Sequence, residues 1–253
     1  MNSILEAVIL GAVQGITEWL PISSSGHLVL FQKWLGLEVP VIYDIVLHLG
    51  SLLVVFLVFW KDIQRLIVGV VKREPYFVKY FIWLMLATIP IGLVGVFLNG
   101  FVKQAFGSVA MAGYGFLFTA VIVFLSQYPR EKNKSPTWIS IVGMGALQAL
   151  AILPGVSRSG MTISAGLMQG VEREQAARFS FLLFIPAIVG AIIVEFKNIS
   201  QIEHMGSLLI GVVVTVITGY LSIRLLLRIV KQGHFHYFAW YCLAVGLLVL
   251  LAF

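Results

Sequence analysis

The sequence predicts an all-α polytopic membrane protein: six transmembrane helices, two re-entrant helical hairpins and an inverted-topology internal repeat. Three observations carry this expectation. Of 253 residues, 60% are hydrophobic and only 11% charged, against about 25% charged in soluble domains. Apolar runs of roughly 18 or more residues, each long enough to cross the hydrocarbon core, recur along the chain. Two further apolar segments are interrupted midway by proline, glycine and serine.

Apolar runs read against charged breaks place six spans at about 43–60, 77–98, 109–127, 179–196, 207–227 and 237–253. The interrupted segments cover about 2–35 and 137–169. Their breaks read Pro21-Ile22-Ser23-Ser24-Ser25-Gly26-His27 and Pro154-Gly155-Val156-Ser157-Arg158-Ser159-Gly160. Proline removes a backbone donor, and glycine and serine favour turns and caps, so each helix should stop and restart there. The second arms are too short to span. A re-entrant hairpin is expected, with a single kinked helix as the alternative.

The two segments also repeat each other. At a fixed offset, Gly11, Ala12 and Gln14 fall on Gly145, Ala146 and Gln148, and Ser23, Ser25 and Gly26 fall on Ser157, Ser159 and Gly160. Gly36 and Glu38 fall on Gly170 and Glu172. Because the matches coincide with the breaks, they indicate duplication within one membrane domain spanning 1–253, with repeats at about 1–127 and 137–253.

Basic residues set the expected orientation. Lys61, Arg65, Lys72 and Arg73 in a loop at 61–75, Arg130, Lys132 and Lys134 in the next, Arg173 and Arg178, and Arg224, Arg228 and Lys231 all fall on one side if the interrupted segments are hairpins. Only Lys33, Lys103 and Lys197 fall on the other, so the first set is expected in the cytoplasm of a multi-pass cell-membrane protein. Three crossings separate the hairpins, which therefore enter from opposite faces, an architecture whose breaks meet near the midplane. Irregular backbone at that depth must line a polar pocket or lie within protein.

Composition also excludes other classes. The formal charge of +6 is dispersed over short loops instead of gathered in a patch, which argues against nucleic acid. The lone Cys242 allows no internal disulfide or thiolate zinc cluster. The first twenty residues hold Glu6 and Glu18 with no basic leader, so they are expected to belong to the fold. Trp19, Trp34, Trp60 and Trp83, near span ends, are expected at the membrane interface.

The chemistry is expected at the breaks. Each short arm begins a helix whose free N–H groups and positive dipole end suit phosphate, and two converging ones suit a diphosphate. Ser24, Ser25, Ser157 and Ser159 are available as caps or as ligands. A cation at the depth of Arg158 costs about 2.5–3.5 kcal/mol, so it needs an anion, whether a phosphate held by its planar fork or Glu18 in an ion pair. Glu18, one helical turn after Gln14, suits three roles: general base, divalent-cation ligand, or partner to Arg158. His27 is either a hydrogen-bonded interior histidine or a proton carrier and nucleophile. His48, Asp44 and Glu195 lie in or near spans, where they could face a cavity or a partner, but they have no accompanying motif, and His234 and His236 read as solvated or interfacial.

The runs Gln14-Gly15-Ile16-Thr17-Glu18 with Pro21-Ile22-Ser23-Ser24-Ser25-Gly26-His27, and Pro154-Gly155-Val156-Ser157-Arg158-Ser159-Gly160-Met161-Thr162, resemble the two signatures of the undecaprenyl-diphosphate phosphatases, the bacitracin-resistance family. The resemblance covers essentially the whole chain. It implies hydrolysis of the C55 lipid diphosphate to the monophosphate and inorganic phosphate, which recycles the lipid carrier of cell-wall synthesis. By motif position the family's functional residues fall on Glu18, Ser24, His27, Ser157, Arg158 and Thr162. We expect Glu18, Ser24 and His27 in catalysis, and Arg158, Ser157, Ser159, Thr162 and Ser25 in substrate binding. The family is described as aided by a divalent cation, so Mg²⁺ or Ca²⁺ on Glu18 is a further expectation. Gln14 departs from the pattern, since many members carry a glutamate there. Expected partners are the polyisoprenyl diphosphate and membrane lipid, with a homodimer left open and no nucleic acid. The rival class is a transporter or flippase of polyisoprenyl phosphates, because inverted repeats with broken helices are common among transporters.

Overall fold

Each serine-rich break ends one helix and starts another. In the computed structural model, which describes residues 4–37, 41–128, 135–195 and 205–253, α1 (Ile4–Trp19) stops ahead of Pro21 and α2 (Ser24–Trp34) follows. Likewise α7 (Trp138–Leu150) stops ahead of Pro154 and α8 (Arg158–Met168) follows. The offset that aligns the two sequence segments lays α2 end to end on α8. Both short helices have 11 residues, about 16 Å of helix against a hydrocarbon core of roughly 30 Å.

Both are capped alike. The Ser23 hydroxyl accepts from Gly26 N at 3.2 Å, and the Ser157 hydroxyl accepts from Gly160 N at 3.1 Å. Ser23 holds φ +66°, a left-handed value that costs a non-glycine residue on the order of 1–3 kcal/mol. That conformation turns the chain sharply enough to aim Ser24 back along α1.

The remaining helices supply the span-length elements. α3 (Val41–Val71), α4 (Pro75–Phe97), α9 (Arg173–Glu195) and α10 (Met205–Gln232) are joined by the C-terminal stretch Phe235–Ala252, which holds a 3-10 turn (Phe235–Tyr237) and α11 (Phe238–Ala252). These five are long and apolar enough to cross a membrane. α5 (Asn99–Phe106) and α6 (Val109–Leu125) meet at a 99° bend and make a sixth crossing if counted as one. The chain is thus an all-helical, multi-pass membrane protein among its described residues.

Three expectations are corrected. Residues 61–71 are not loop: α3 runs on to Val71 through a local kink at Phe59. Lys61, Asp62 and Arg65 end the apolar stretch without breaking the helix, and the stop comes at Arg73, with φ +57°, ahead of Pro75. Residues 99–106, left between spans by the hydropathy reading, form α5. Trp19 is fully buried, packed edge-on against Phe181 and Phe184, so it is core and not an interfacial anchor. Trp34 and Trp60 are exposed. Glu38, Arg130, Lys132, Lys134 and Lys197 lie outside the described residues.

Helix crossings are set by small residues, which let backbones approach in a solvent that gives helices little hydrophobic reason to pair. α1 lies on α10 with Gly11 against the Gly211 backbone, and Thr215 Oγ1 donates to Gly11 O at 3.0 Å. α7 lies on α4 with Gly145 against Ala87, and Gln148 Nε2 donates to Ala87 O at 3.1 Å. Each half of the chain therefore packs its broken helix against a long helix of the other half.

Charge is gathered at one end of these helices. Arg178, near the start of α9, pairs with Asp62 on the extension of α3 at 3.0 Å and with Glu174 at 2.8 Å. Gly233, just past α10, lies against the Arg173 guanidinium. At the opposite end, Lys103 on α5 pairs with Glu195 at the end of α9 at 3.0 Å.

Candidate active site

Glu18 lies in the last turn of α1, and Ser24 is the first residue of α2. The reversal through Leu20–Ser23 brings them together: the Ser24 hydroxyl donates to Glu18 Oε2 at 2.5 Å. Arg158 is the first residue of α8, and its Nη2 donates to Glu18 Oε1 at 2.7 Å. Its Nη1 donates to Ser180 O at 3.1 Å, and its guanidinium sits 4.4 Å above the Phe184 ring. Two further donors reach the same carboxylate. Gln14 Nε2 donates to Glu18 Oε2 at 3.2 Å and to Ser51 Oγ at 3.2 Å, while His48 Nε2 stands 3.3 Å from Glu18 Oε2.

This network accounts for charges held deep in an apolar protein. Desolvating Arg158 and Glu18 is costly, but pairing, the extra hydrogen bonds and the Phe184 ring offset it. Removing one partner strands the other, which typically costs about 3–5 kcal/mol.

The breaks are fixed by contacts from other helices and from each other. Thr119 Oγ1 on α6 donates to Gly155 O at 2.9 Å and accepts from Ser157 N at 3.0 Å. Ser159 Oγ donates to Leu20 O at 3.3 Å, tying the second break directly to the first. Cys242 Sγ on α11 lies 3.4 Å from Pro21 O as a weak donor. Thr162, fully buried, donates to Arg158 O at 2.8 Å and meets the Ser180 hydroxyl at 2.5 Å, so it braces the turn that presents Arg158.

A cavity of about 700 Å³ opens beside this cluster. Glu18, Ser24, Ser25, Asp44, His48, Ser157 and Arg158 line its polar end. Ile89, Leu93 and Val96 of α4 and Ile188, Ala191 and Ile193 of α9 form apolar walls, and Lys103 and Glu195 also line it. The space suits an amphiphile with an anionic head.

The whole-chain comparisons agree on one family. The model of the bacitracin resistance protein BacA family matches residues 7–248. A protein of Methanosphaera stadtmanae named undecaprenyl-diphosphatase is 41% identical, over 99% of this chain and 98% of the relative. Proteins of the same name from Methanobrevibacter smithii and Halothermothrix orenii are 41% and 38% identical, each over at least 96% of either chain. This chain belongs to the BacA family.

The BacA signatures meet in space, though not every residue faces the cavity. Glu18, Ser24, Ser25, Ser157 and Arg158 line it. Ser159 and Thr162 are buried behind it, holding Leu20 and Arg158. His27 points elsewhere: Nδ1 lies 2.7 Å from Ser23 O, and Nε2 lies 2.8 Å from the Tyr241 hydroxyl, whose ring stacks on it.

Sequence reasoning passed over His48 and Asp44 because no motif surrounds them. Both are on α3 and both line the cavity. The available signal was their rarity: two ionisable residues one helical turn apart in an otherwise apolar span are functional candidates on that ground alone.

The donor set does not make a divalent-cation site by itself. Among the described residues no group of three or more His, Cys, Asp or Glu stands close enough to hold a metal. A carboxylate offers about four acceptor positions, and Glu18 already faces Arg158, Ser24, Gln14 and His48. A cation arriving with a diphosphate would take its ligands mainly from phosphate oxygens and water.

Proposed function

We propose that this chain is an integral membrane phosphatase that hydrolyses undecaprenyl diphosphate to undecaprenyl phosphate and inorganic phosphate. The observation that carries the reading is the Ser24 hydroxyl hydrogen-bonded at 2.5 Å to a carboxylate that also binds Arg158, in a cavity whose walls on α4 and α9 are mainly apolar. The name carried by relatives matched along nearly their whole length supports it.

The architecture behind this reading is six crossings plus two re-entrant helix pairs, arranged as inverted repeats over about 1–127 and 137–253. The coincident bounds of α2 and α8, their matching serine caps and the exchanged packing of α1 on α10 and α7 on α4 support it. With the Arg-rich ends in the cytoplasm, the cavity edge bearing Lys103 and Glu195 faces the outer side of the cell membrane.

The chemistry follows from the contacts. Arg158, its fork drawn onto the diphosphate, neutralises charge on the terminal phosphoryl group, as phosphoryl transfer requires. Ser24 Oγ forms a bond to the terminal phosphorus as its proton passes to Glu18. The bond from the terminal phosphorus to the bridging oxygen breaks, and undecaprenyl phosphate leaves with that oxygen and the electron pair. Water then attacks the phosphoserine, the P–Oγ bond breaks, Glu18 returns the proton to Ser24, and both protons of the water leave on the inorganic phosphate as dihydrogen phosphate.

Phosphate release from C55 diphosphate by detergent-purified protein, with and without chelator, tests this. Turnover is expected without any membrane to cross, together with a trappable phosphoserine at Ser24. Near-normal turnover by Ser24→Ala removes serine from the nucleophile role, and no release at all removes the phosphatase reading.

A further inference from the structure

His48 stands on α3, outside both signature runs, with its ring fixed at both nitrogens. Nδ1 lies 2.6 Å from the Asp44 main-chain oxygen, and Nε2 lies 3.3 Å from Glu18 Oε2. A carbonyl oxygen only accepts, so Nδ1 carries a hydrogen. An ionised carboxylate also only accepts, so either Nε2 carries a hydrogen too or Glu18 holds it. In both cases His48 and Glu18 share one proton between facing atoms. The groups around the pair are Gln14 and Ser24 on Oε2, Arg158 on Oε1, and the Asp44 carboxylate, which is occupied by Gln32 Nε2 at 2.7 Å.

The arrangement matters once a diphosphate competes for Arg158. As the guanidinium is drawn to the phosphoryl oxygens, Glu18 loses its charged partner on Oε1 while it must stay aimed at Ser24. Besides Ser24, whose proton the base takes, the donors left on Oε2 are Gln14, on the same helix as Glu18, and His48, anchored independently to α3. Of these two, His48 is the one that holds the carboxylate from a second helix.

We propose that His48 is the positioning residue of the general base, completing a chain from Ser24 through Glu18 and His48 to the Asp44 carbonyl. The assignment rests on the Ser24–Glu18 reading above. It makes the Nε2–H of His48, and not the bulk of the ring, the feature that turnover depends on.

Two amide substitutions separate these. In His48→Gln the amide reaches the place of Nε2 and can donate to Glu18, whereas in His48→Asn the shorter amide reaches only the place of Nδ1. Both are polar replacements of similar tolerance, and detergent-stable, monodisperse protein is checked for each. With C55 diphosphate, kcat of the Gln protein is expected within about 5-fold of the parent, and kcat of the Asn protein about 100-fold lower with KM within about 2-fold. Equal kcat in the two variants, at any level, overturns the proposal. Ser24→Ala and Glu18→Gln run alongside. If either turns over normally, the underlying phosphatase site is wrong. If both are crippled while the Asn protein matches the Gln protein, only the role of His48 falls.

Discussion

Ser24 and Arg158 occupy the same place in their two short helices, each the first residue after a capping serine, and both end on the carboxylate of Glu18. One offers a hydroxyl, the other a guanidinium. The two matching breaks thus bring a hydroxyl and a guanidinium to one point from equivalent positions. Glu18 has no such twin, because Ile152 stands at the matching position. The different residues at these positions make two similar breaks into one asymmetric site.

The position of Glu18 between those groups predicts how its loss reads out. Glu18→Gln keeps an acceptor for Arg158 but cannot take a proton from Ser24. Turnover should fall by about 10²–10⁴-fold, the usual worth of a general base, with little change in KM. Purified protein under saturating substrate measures this, and a fall in affinity with kcat unchanged would falsify the base assignment.

Arg158 predicts a different pattern, because its fork is shared between Glu18, Ser180 and the Phe184 ring. Arg158→Lys keeps the charge and loses the bidentate geometry, so KM should rise and kcat fall together. Arg158→Ala strands Glu18 and should also cost about 3–5 kcal/mol of stability. In the Glu18→Gln background the same Ala change should cost clearly less, since no carboxylate is left unpaired. Thermal unfolding in detergent over the four proteins of this cycle gives the coupling, and additive effects would contradict the pairing.

Packing at the crossings makes a stability prediction that does not involve the site. A methyl group on Gly11 would run into the Gly211 backbone, which cannot yield as a side chain could. Gly92, on α4, has open space around the same methyl. Gly11→Ala should therefore destabilise the protein by about 1–3 kcal/mol through overpacking. Gly92→Ala should leave it within about 1 kcal/mol of the parent, or slightly above through better helix propensity. Melting temperatures in one detergent decide the pair.

Much of this site was legible in the sequence because its signals are local. Pro21 with Ser23, and Pro154 with Ser157, mark backbone breaks that any apolar context would have to bury, and the helices stop and restart at them. Arg158 and Glu18 were conspicuous because charge at that depth needs a partner, and each is the other's. What escaped was set by tertiary contact. His48 meets Glu18 from a different helix, a pairing that no local periodicity encodes. His27 sits within the first signature, yet its ring turns to Tyr241 on α11, because direction around a helix and not nearness in sequence decides what a side chain faces. Trp19 looked interfacial by its place near a helix end, but that end is inside the protein, against Phe181 and Phe184.

The apolar walls of the cavity carry the last prediction. If they receive the prenyl chain, filling them should hurt long substrates and spare short ones. Gly190 lines the cavity from α9, with nothing within 4 Å of an added Cβ, so a leucine there starts in open space and is expected to fill part of the cavity. Gly190→Leu should raise KM for C55 diphosphate by about 10-fold, the worth of one or two lost apolar contacts. For a short isoprenyl diphosphate such as the C15 compound, which does not extend as far along the walls, KM should stay within about 2-fold. kcat should be unchanged for both, because Glu18, Ser24 and Arg158 have no atom within 4 Å of a Cβ at Gly190. Equal losses for the long and short substrates would place the tail elsewhere and leave the cavity as a headgroup chamber alone.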